Sequence, residues 1–305
     1  MKIFSGSSNI KLSNKIANLL GISISNSEIN KFQDGEINIK INENVRGEEV
    51  FIIQSMCFPV NDNFMELVIT ADALKRASAK KIIAVIPYLG YSRQDRRVYN
   101  EQVPITAKMI ANLLAASGIC HVIIVDLHCE QIQGFFDIIL DSITTENIFF
   151  NDIISQKLNQ PVLVSPDFGG MKRVRRISKM LNHKDIVIIE KYRPKLNESE
   201  VIKVIGDVNN RDCILLDDII DTASTLCKSA LCLKKLGASK IICYATHPVF
   251  SKKSYKNIKN SEIDEFIVCD SIPLNVNIKC FNKIRVLTIS KILADHIFSI
   301  SKLNK

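Results

Sequence analysis

The chain contains no tryptophan, and aromatic residues make up only 7% of its 305 residues. Aliphatic side chains must therefore fill any core, and hydrophobic residues at 47% are numerous enough to do so. No apolar run reaches the length that spans a membrane, and the start, MKIFSGSSN, lacks the apolar stretch of a signal peptide. We therefore expect a soluble cytoplasmic protein with no membrane partner, long enough for two domains.

Cys-x-x-Cys pairs are also missing, although the chain has nine cysteines. Their odd number and their position inside apolar runs predict reduced, buried thiols rather than disulfides. The net charge of +8 suits anionic small molecules and also nucleic acid. No helix-turn-helix extension or basic-aromatic module supports the second interpretation, so we expect no nucleic-acid partner.

Strand-like and helix-like segments alternate along the whole chain, which predicts an α/β fold with parallel sheets. The first half contains strands at 48–55, 80–90 and 121–128 and helices at 63–79 and 104–118. In the second half, helices are predicted at 145–158 and 171–182 and strands at 161–165, 185–190 and 240–248. The similar rhythm of the halves predicts two related domains, with a boundary near 141–146.

The segment CILLDDIIDTAST (213–225) is the strongest candidate for chemistry. It reads as a buried strand that ends at Leu216, a loop that opens with Asp217 and Asp218, and a helix after the hydroxyl-rich turn. Ligands bind at such strand ends, and a helix amino terminus favours phosphate. Carboxylates beside a phosphate turn indicate a sugar phosphate. A solvated strand end with a helix cap is the alternative, and the spacing of a Walker loop is absent.

Polar residues follow other predicted strands. His128 is suited to a metal, a phosphate or a sheet end, and Asp167 either ligates Mg²⁺ or makes a turn. Arg93 and Gln94 can grip phosphate and base edges, or can lie in a salt-bridged surface loop.

Two loops complete the set of candidates. In the loop 189–197, Lys191 and Arg193 can close over phosphoryl groups, or can belong to a solvated linker. In the segment 31–50, Asp34 and Gly35 predict a hairpin turn beside Phe32, which can stack on a purine or only staple the hairpin.

Together these segments resemble the ribose-phosphate pyrophosphokinase family, also called phosphoribosyl pyrophosphate synthetases, of the class that depends on phosphate and Mg²⁺. The resemblance runs over nearly the whole chain. It is carried by FQDGE, NENVRGEE, MELVITADALKRASAKKI, PYLGYSRQDRR, PITAK, VDLHCEQIQGFFD, VSPDFGG, GDVNNRDCILLDDIIDTAST and YATHPVFS, in family order.

The resemblance implies two tandem phosphoribosyltransferase-like domains, 1–143 and 144–305, each with a mainly parallel central sheet flanked by helices. It implies that the end of the chain packs back on the first domain, and that the protein is a homo-oligomer, commonly a hexamer. It also implies transfer of a pyrophosphoryl group from ATP to the anomeric hydroxyl of ribose 5-phosphate, with Mg²⁺ as cofactor and inorganic phosphate as an activator.

The resemblance also assigns roles to residues. Lys191 and Arg193 match the catalytic loop, and His128 and Asp167 match the Mg²⁺ site. The implied ATP contacts are Arg93 and Gln94, together with Phe32, Asp34, Gly35 and Glu36 from a neighbouring subunit. The implied ribose 5-phosphate contacts are Arg193, Asp217, Asp218, Asp221, Thr222, Ala223, Ser224 and Thr225.

Several positions depart from the family pattern. Ser224 stands where the family usually has glycine, which adds a Cβ to the tight phosphate turn, and Tyr192 often corresponds to arginine. Cys129 and Ile139 replace a small residue and a proline. Asn44, the segment VYNEQVP (98–104) and the early end of the chain depart in regions that help form the family's regulatory phosphate and ADP site. We therefore expect catalysis with weakened phosphate activation and ADP inhibition.

Two alternatives stay open at this point. A phosphoribosyltransferase uses a similar loop, but it does not need the FQDGE and SRQDRR blocks. A non-catalytic synthetase-associated regulatory subunit is expected to have lost loop cations or metal residues, yet Lys191, Arg193, His128 and Asp167 are present.

Overall fold

The computed structural model describes residues 1–183, 185–192, 201–275 and 282–303. Its elements up to residue 144 are β1 (Lys2–Ser5), α1 (Ile10–Leu20), β2 (Ser27–Lys31), β3 (Ile37–Ile41), β4 (Glu49–Ile53), α2 (Val60–Arg76), β5 (Lys81–Ile86), α3 (Thr106–Ala116), β6 (His121–Val125), a 3₁₀ turn (Glu130–Phe135) and β7 (Ile139–Ile143).

The later elements are α4 (Glu146–Ser155), β8 (Val162–Ser165), α5 (Met171–Met180), β9 (Ile186–Tyr192), β10 (Val201–Ile205), β11 (Asp212–Ile220), α6 (Ser224–Lys235), β12 (Lys240–Pro248), α7 (Ser254–Lys259), β13 (Glu265–Cys269), β14 (Ile284–Leu287) and α8 (Ser290–Leu303). The predicted α/β alternation is confirmed. None of the helices in these described stretches combines the length and apolarity needed to cross a bilayer.

The described residues form two compact units. The first comprises those of Met1–Thr144, Ser271–Pro273 and Thr288–Lys305. Its main sheet has the order β1-β4-β5-β6-β7 and is parallel throughout. Strands β2 and β3 form a separate antiparallel hairpin, and α8 packs against α1.

The second unit comprises the described residues of Thr145–Asp270 and Leu274–Leu287. Its sheet has the order β10-β9-β8-β11-β12-β13-β14, and all pairs are parallel except β10 with β9. Strand β11 is central and carries an unbroken aliphatic run from Cys213 to Leu216, each residue fully buried. Such a run is typical of a parallel strand covered by helices on both faces.

Some element ends differ from the predicted ones. The strand predicted over 121–128 stops at Val125, because Asp126 adopts a φ of 42° that an extended strand does not allow. The helix predicted over 104–118 occupies Thr106–Ala116, and Gly118 leaves it with a φ of 102°.

Candidate functional site

The acidic pair lies within strand β11 rather than in a loop after it. The strand continues four residues beyond Leu216, with Asp217 opposite Ala245 and Ile220 opposite Pro248 of β12. The prediction that the strand ends at Leu216 was therefore wrong, because the ladder to β12 tolerates the two acids. The sheet consequently fixes the backbone of both carboxylates.

The two carboxylates raise each other's energy. Asp217 is half-buried and Asp218 is only 6% exposed, and the N–H of Asp218 donates to Oδ1 of Asp217 at 2.9 Å. Burial raises the pKa of Asp217 well above its ordinary value, and the neighbouring charge of Asp218 raises it further. An unliganded acidic pair in this position needs a cation or a hydroxyl-rich ligand beside it.

Arg173 supplies a cation, and sequence reasoning did not single it out. Its Nη1 lies 3.7 Å from Oδ1 of Asp218, and its guanidinium opposes the rise in the pKa of Asp217. Val174 and Ile177 are buried on α5, and a residue four positions before Ile177 shares that inward face. The helical register of MKRVRRISKM was the signal that could have found Arg173.

The turn between β11 and α6 places its strain on Ala223. Ala223 has a φ of 59° and is 4% exposed, whereas Ser224 is the first residue of α6. The left-handed position of the turn is therefore Ala223, one residue before Ser224. The N–H of Ser224 donates to Oγ1 of Thr222 at 3.3 Å, and Asn257 donates to the carbonyl of Thr222 at 2.8 Å.

This turn opens on the amino terminus of α6. Ala223 stands at the N-cap position and has no polar side chain with which to cap the helix. The first N–H groups of a helix and its dipole favour an anion at that end. Asp221 and Thr222 are half-buried and Thr225 is exposed, so the turn is accessible to a ligand.

Asp167 follows β8 and makes the turn into α5. Its Oδ1 accepts from the N–H of Gly170 at 2.9 Å, and Oγ of Ser165 donates to its carbonyl at 2.6 Å. A Cβ on Gly170 would lie 3.0 Å from that hydroxyl, so a side chain at this position would force Ser165 to shift by a few tenths of an ångström. Asp167 itself is exposed, and its carboxylate is the hard oxygen donor that Mg²⁺ prefers.

The structure also locates the other predicted metal residue. His128 is exposed and lies after β6 in the first unit. Imidazole nitrogen suits Zn²⁺ and similar metals better than Mg²⁺, so its chemistry fits less well than that of Asp167. Among the residues that the structure describes, no three His, Cys, Asp or Glu side chains are grouped to hold a metal ion. A cation held here would need oxygen atoms from a bound ligand or from water.

Cys129, next to His128, was not predicted to have a role. Its Sγ donates to Oδ2 of Asp95 at 2.9 Å and so ties the loop after β6 to the loop that carries Arg93 and Gln94. Burial raises the pKa of Cys129 to about 11, and the Asp95 carboxylate adds to the shift. The thiol is therefore a hydrogen-bond donor at neutral pH and not a nucleophile.

The hairpin predicted at Asp34 and Gly35 is present between β2 and β3. The N–H of Phe32 donates to the carbonyl of Glu36 at 2.8 Å, and the N–H of Glu36 donates to Oδ1 of Asp34 at 3.1 Å. Gly35 has a φ of 95°, a conformation that glycine adopts without strain. The ring of Phe32 is 56% exposed, so it is available for stacking.

Arg93 and Gln94 are both exposed, in the loop that follows β5. Gln94 is fixed at its backbone and at its side chain, because its carbonyl accepts from the N–H of Ala107 and its Oε1 accepts from Oγ1 of Thr106. Arg93 also has an interaction partner. This loop is therefore ordered by the start of α3.

Only part of the predicted catalytic loop lies within the residues that the structure describes. Lys191 lies near the end of β9, opposite Ile202 of the antiparallel strand β10. Arg193 falls outside the described residues.

The fold and the acidic strand end define a class: parallel α/β proteins that present a phosphate-type turn at the carboxyl end of a central strand. Two family models match the chain: the N-terminal domain of ribose phosphate pyrophosphokinase over residues 1–118, and the phosphoribosyl synthetase-associated domain over residues 172–304. The chain belongs to the ribose-phosphate pyrophosphokinase family.

Individual relatives agree with this assignment. The chain is 54% identical over 301 residues to the ribose-phosphate pyrophosphokinase of Buchnera aphidicola subsp. Acyrthosiphon pisum, covering 99% of this chain and 96% of the relative. It is 52% identical over 302 residues to that of Haemophilus ducreyi, with the same coverage. The crystal structure of phosphoribosylpyrophosphate synthetase from Mycobacterium smegmatis superposes with a TM-score of 0.93 at 33% identity, covering 99% of this chain and 98% of that one.

Proposed function

We propose that this chain transfers the pyrophosphoryl group of ATP to the anomeric hydroxyl of ribose 5-phosphate, giving 5-phosphoribosyl 1-pyrophosphate and AMP. The hydroxyl oxygen forms a bond to the β-phosphorus of ATP, the bond from that phosphorus to the bridging α-oxygen breaks, and AMP leaves. The observation that carries the proposal is the Asp217–Asp218 pair within the last four residues of the central strand, which leads into the turn before α6.

The acidic pair binds the ribose hydroxyls of the sugar phosphate, and the turn binds its phosphate. Carboxylates accept hydrogen bonds from the vicinal hydroxyls of ribose, which relieves the repulsion between Asp217 and Asp218. The N–H groups at the start of α6, together with Thr222 and Thr225, hold the 5-phosphate. Both contacts position the anomeric hydroxyl, and positioning is a main source of rate in phosphoryl-type transfer.

ATP is assigned to groups of the first unit. The exposed ring of Phe32 stacks on the base, with Asp34, Gly35 and Glu36 beside it, and Arg93 and Gln94 grip the nucleotide. Lys191 and Arg193 neutralise the charge that develops on the transferred group. Mg²⁺, for which Asp167 and His128 are the proposed protein contacts, would offset the charge of the ATP phosphates when bound.

The test is a coupled assay of AMP formation with ATP, ribose 5-phosphate and Mg²⁺, omitting each component in turn. Formation of AMP only in the complete mixture supports the proposal, whereas pure folded protein that forms no AMP would overturn it. Lys191→Ala is expected to lower kcat by about a hundredfold or more. Lys203→Ala, which removes an exposed cation from the neighbouring strand β10, is the matched control and should leave kcat unchanged.

The same assay separates the two other candidates. A phosphoribosyltransferase would consume 5-phosphoribosyl 1-pyrophosphate with a base and form no AMP from ATP and ribose 5-phosphate. A non-catalytic regulatory subunit would show no activity alone but would change the rate of a catalytic relative. The near-complete match to catalytic relatives favours neither of them.

The segments that depart from the family pattern bear on regulation by inorganic phosphate and ADP. The departures at 98–104 lie in an exposed segment, with Tyr99 90% exposed, and Oδ1 of Asn44 is engaged by the N–H of Arg46 at 3.0 Å. We infer weakened activation by inorganic phosphate and weakened inhibition by ADP. A phosphate titration of activity with and without ADP tests this, and steep sigmoid activation with tight ADP inhibition would contradict it.

Location and assembly are proposed on separate grounds. The eight cysteines in the described residues are free thiols, as is typical of the reducing cytoplasm, and we propose a cytoplasmic enzyme.

Two half-exposed apolar side chains, Met109 and Leu113, lie one turn apart on α3 and are suited to contact with a second copy of the chain. A homo-oligomer, up to a hexamer, is checked by light scattering on a sizing column.

A further inference from the structure

Arg173 differs from the other basic residues of α5 because its side chain is largely buried. The helix carries Lys172, Arg175 and Arg176 as exposed residues, whereas the Arg173 side chain is only 12% exposed. It sits in the first turn of α5, just after the loop that ends β8, and β8 pairs directly with β11. This placement brings a cation to the acidic end of the central strand.

The ion pair between Arg173 and Asp218 leaves the acidic pair able to accept hydrogen bonds from a ligand. Burying a guanidinium is costly unless an opposite charge lies nearby, and Asp218, itself 6% exposed, provides it. The separation of 3.7 Å between Nη1 of Arg173 and Oδ1 of Asp218 is an ion pair without a short hydrogen bond. The arginine therefore balances charge without taking the position of a ligand hydroxyl.

Charge balance matters because two other carboxylates act on Asp217. Asp218 and Asp167 both disfavour ionisation of Asp217, and Arg173 favours it. An ionised carboxylate accepts hydrogen bonds more strongly than a neutral carboxyl and accepts at both oxygens. Loss of the guanidinium would remove the positive charge that faces Asp218, even with the backbone unchanged.

We propose that Arg173 is a positioning residue for sugar recognition, which holds the carboxylate of Asp218 in place so that the acidic pair accepts hydrogen bonds from the ribose hydroxyls. The proposal rests on the function proposed above, in which Asp217 and Asp218 bind ribose 5-phosphate. Arg173 acts through Asp218 and need not touch the reacting atoms.

The experiment compares Arg173→Gln, Arg173→Lys and the matched control Arg175→Gln, which removes the same charge from an exposed position of the same helix. Arg173→Gln is expected to raise KM for ribose 5-phosphate about tenfold, with KM for ATP changed less than twofold. Arg173→Lys should recover most of the affinity, and Arg175→Gln should behave as the parent enzyme. Equal rises in both KM values, or no recovery by lysine, would overturn the proposal.

A double-mutant comparison tests the route through Asp218. If Arg173 acts through that carboxylate, Arg173→Gln should have little further effect on KM for ribose 5-phosphate in an Asp218→Asn background. Additive effects would refute the coupling. Thermal unfolding of each variant is measured in parallel. Should Arg173→Gln fail to fold, Arg173→Lys decides: a selective, few-fold rise for ribose 5-phosphate supports the proposal, and a rise shared with ATP refutes it.

Failure of the proposed function would be visible separately, as a parent enzyme that forms no AMP. Calorimetric binding of ribose 5-phosphate to the parent and to Arg173→Gln would still decide the inference. Equal affinity for the two proteins would overturn it, and selective loss in the variant would support it.

Discussion

The hydroxyl of Thr106 lies 2.5 Å from Oε1 of Gln94, and this contact ties a proposed ATP contact to the first turn of α3. Thr106 is 7% exposed, so the donor side of this hydrogen bond is buried, whereas Gln94 is exposed. Thr106→Val keeps the shape and removes the donor, and we expect KM for ATP to rise about threefold. Thr106→Ser keeps the hydroxyl and should show no such rise. An unchanged KM for ATP in the valine variant would show that Gln94 does not depend on this anchor.

Ser224→Gly restores the residue usual in the family and is expected to change turnover less than about twofold. The reason is that Ser224 has an ordinary helical position, so removing its Cβ relieves no strain. Glycine in a helix costs stability by about 0.5–1 kcal/mol, so the midpoint of thermal unfolding should fall slightly. Steady-state kinetics and calorimetry on the same preparation check both expectations. A large gain in kcat would mean that the serine hinders the phosphate after all.

Asp141 lies between two histidines, with Nε2 of His121 at 2.8 Å and Nε2 of His296 at 2.7 Å from Oδ2. Burial raises the pKa of Asp141, but hydrogen bonds from His296 and His121 outweigh it and hold the pKa below its ordinary value. A carboxylate with a lowered pKa in the folded state contributes stability that is fully present above the unfolded pKa of about 3.9. That contribution is lost as the pH falls through the folded pKa.

Asp141→Ala is therefore expected to lower the free energy of unfolding by about 1 kcal/mol at neutral pH, and by progressively less below about pH 4. Urea unfolding across the pH range measures the difference. Asp295→Ala, on the same helix as His296, removes an exposed carboxylate that pairs with Lys291 and should have little effect at any pH. A cost for Asp141→Ala that is constant down to the lowest pH would contradict the ionic origin of the contribution.

The cysteines should differ sharply in their reactivity. Burial raises the pKa of Cys57 to about 11 and that of Cys213 to about 12, so both remain thiols at neutral pH. Cys120 is exposed on the loop before β6. A disulfide reagent at neutral pH is expected to modify Cys120 rapidly and to reach Cys57 and Cys213 only on unfolding. In a Cys120→Ser variant one equivalent should disappear from the rapid phase, and an unchanged rapid phase would be the contrary result.

The sequence predicted the central strands, because parallel strands buried on both faces are unbroken aliphatic runs, as in 213–216 and 240–248. It did not predict the strands at or near the sheet edges, β1, β7, β10, β13 and β14. It located the hairpin at Asp34 and Gly35, since a turn with positive φ selects glycine. It failed at the end of β11. Apolar patterning has no means to recognise a strand that continues through two acids, because the ladder to β12 depends on backbone hydrogen bonds and not on the side chains.

The sequence predicted those parts of the site whose residues are adjacent in the chain. The carboxylates and the hydroxyl-rich turn adjoin one another in the chain, so the pattern alone indicated a sugar phosphate. Arg173 lies 45 positions before Asp218 in the chain, and only the pairing of β8 with β11 brings them together. The left-handed position of Ala223 likewise depends on where the helix begins, and sequence patterns locate a helix start only to within a few residues.

The left-handed conformation of Ala223 limits how this family member can diverge. The position is buried, so a longer side chain has no room, and its φ of 59° penalises any branched residue. Glycine would relax the backbone but would remove a buried methyl group. Ser224, one residue later, begins the helix with a negative φ and is half-buried, so neither restriction applies to it. Of these two neighbouring positions, only Ala223 restricts substitution through its backbone conformation.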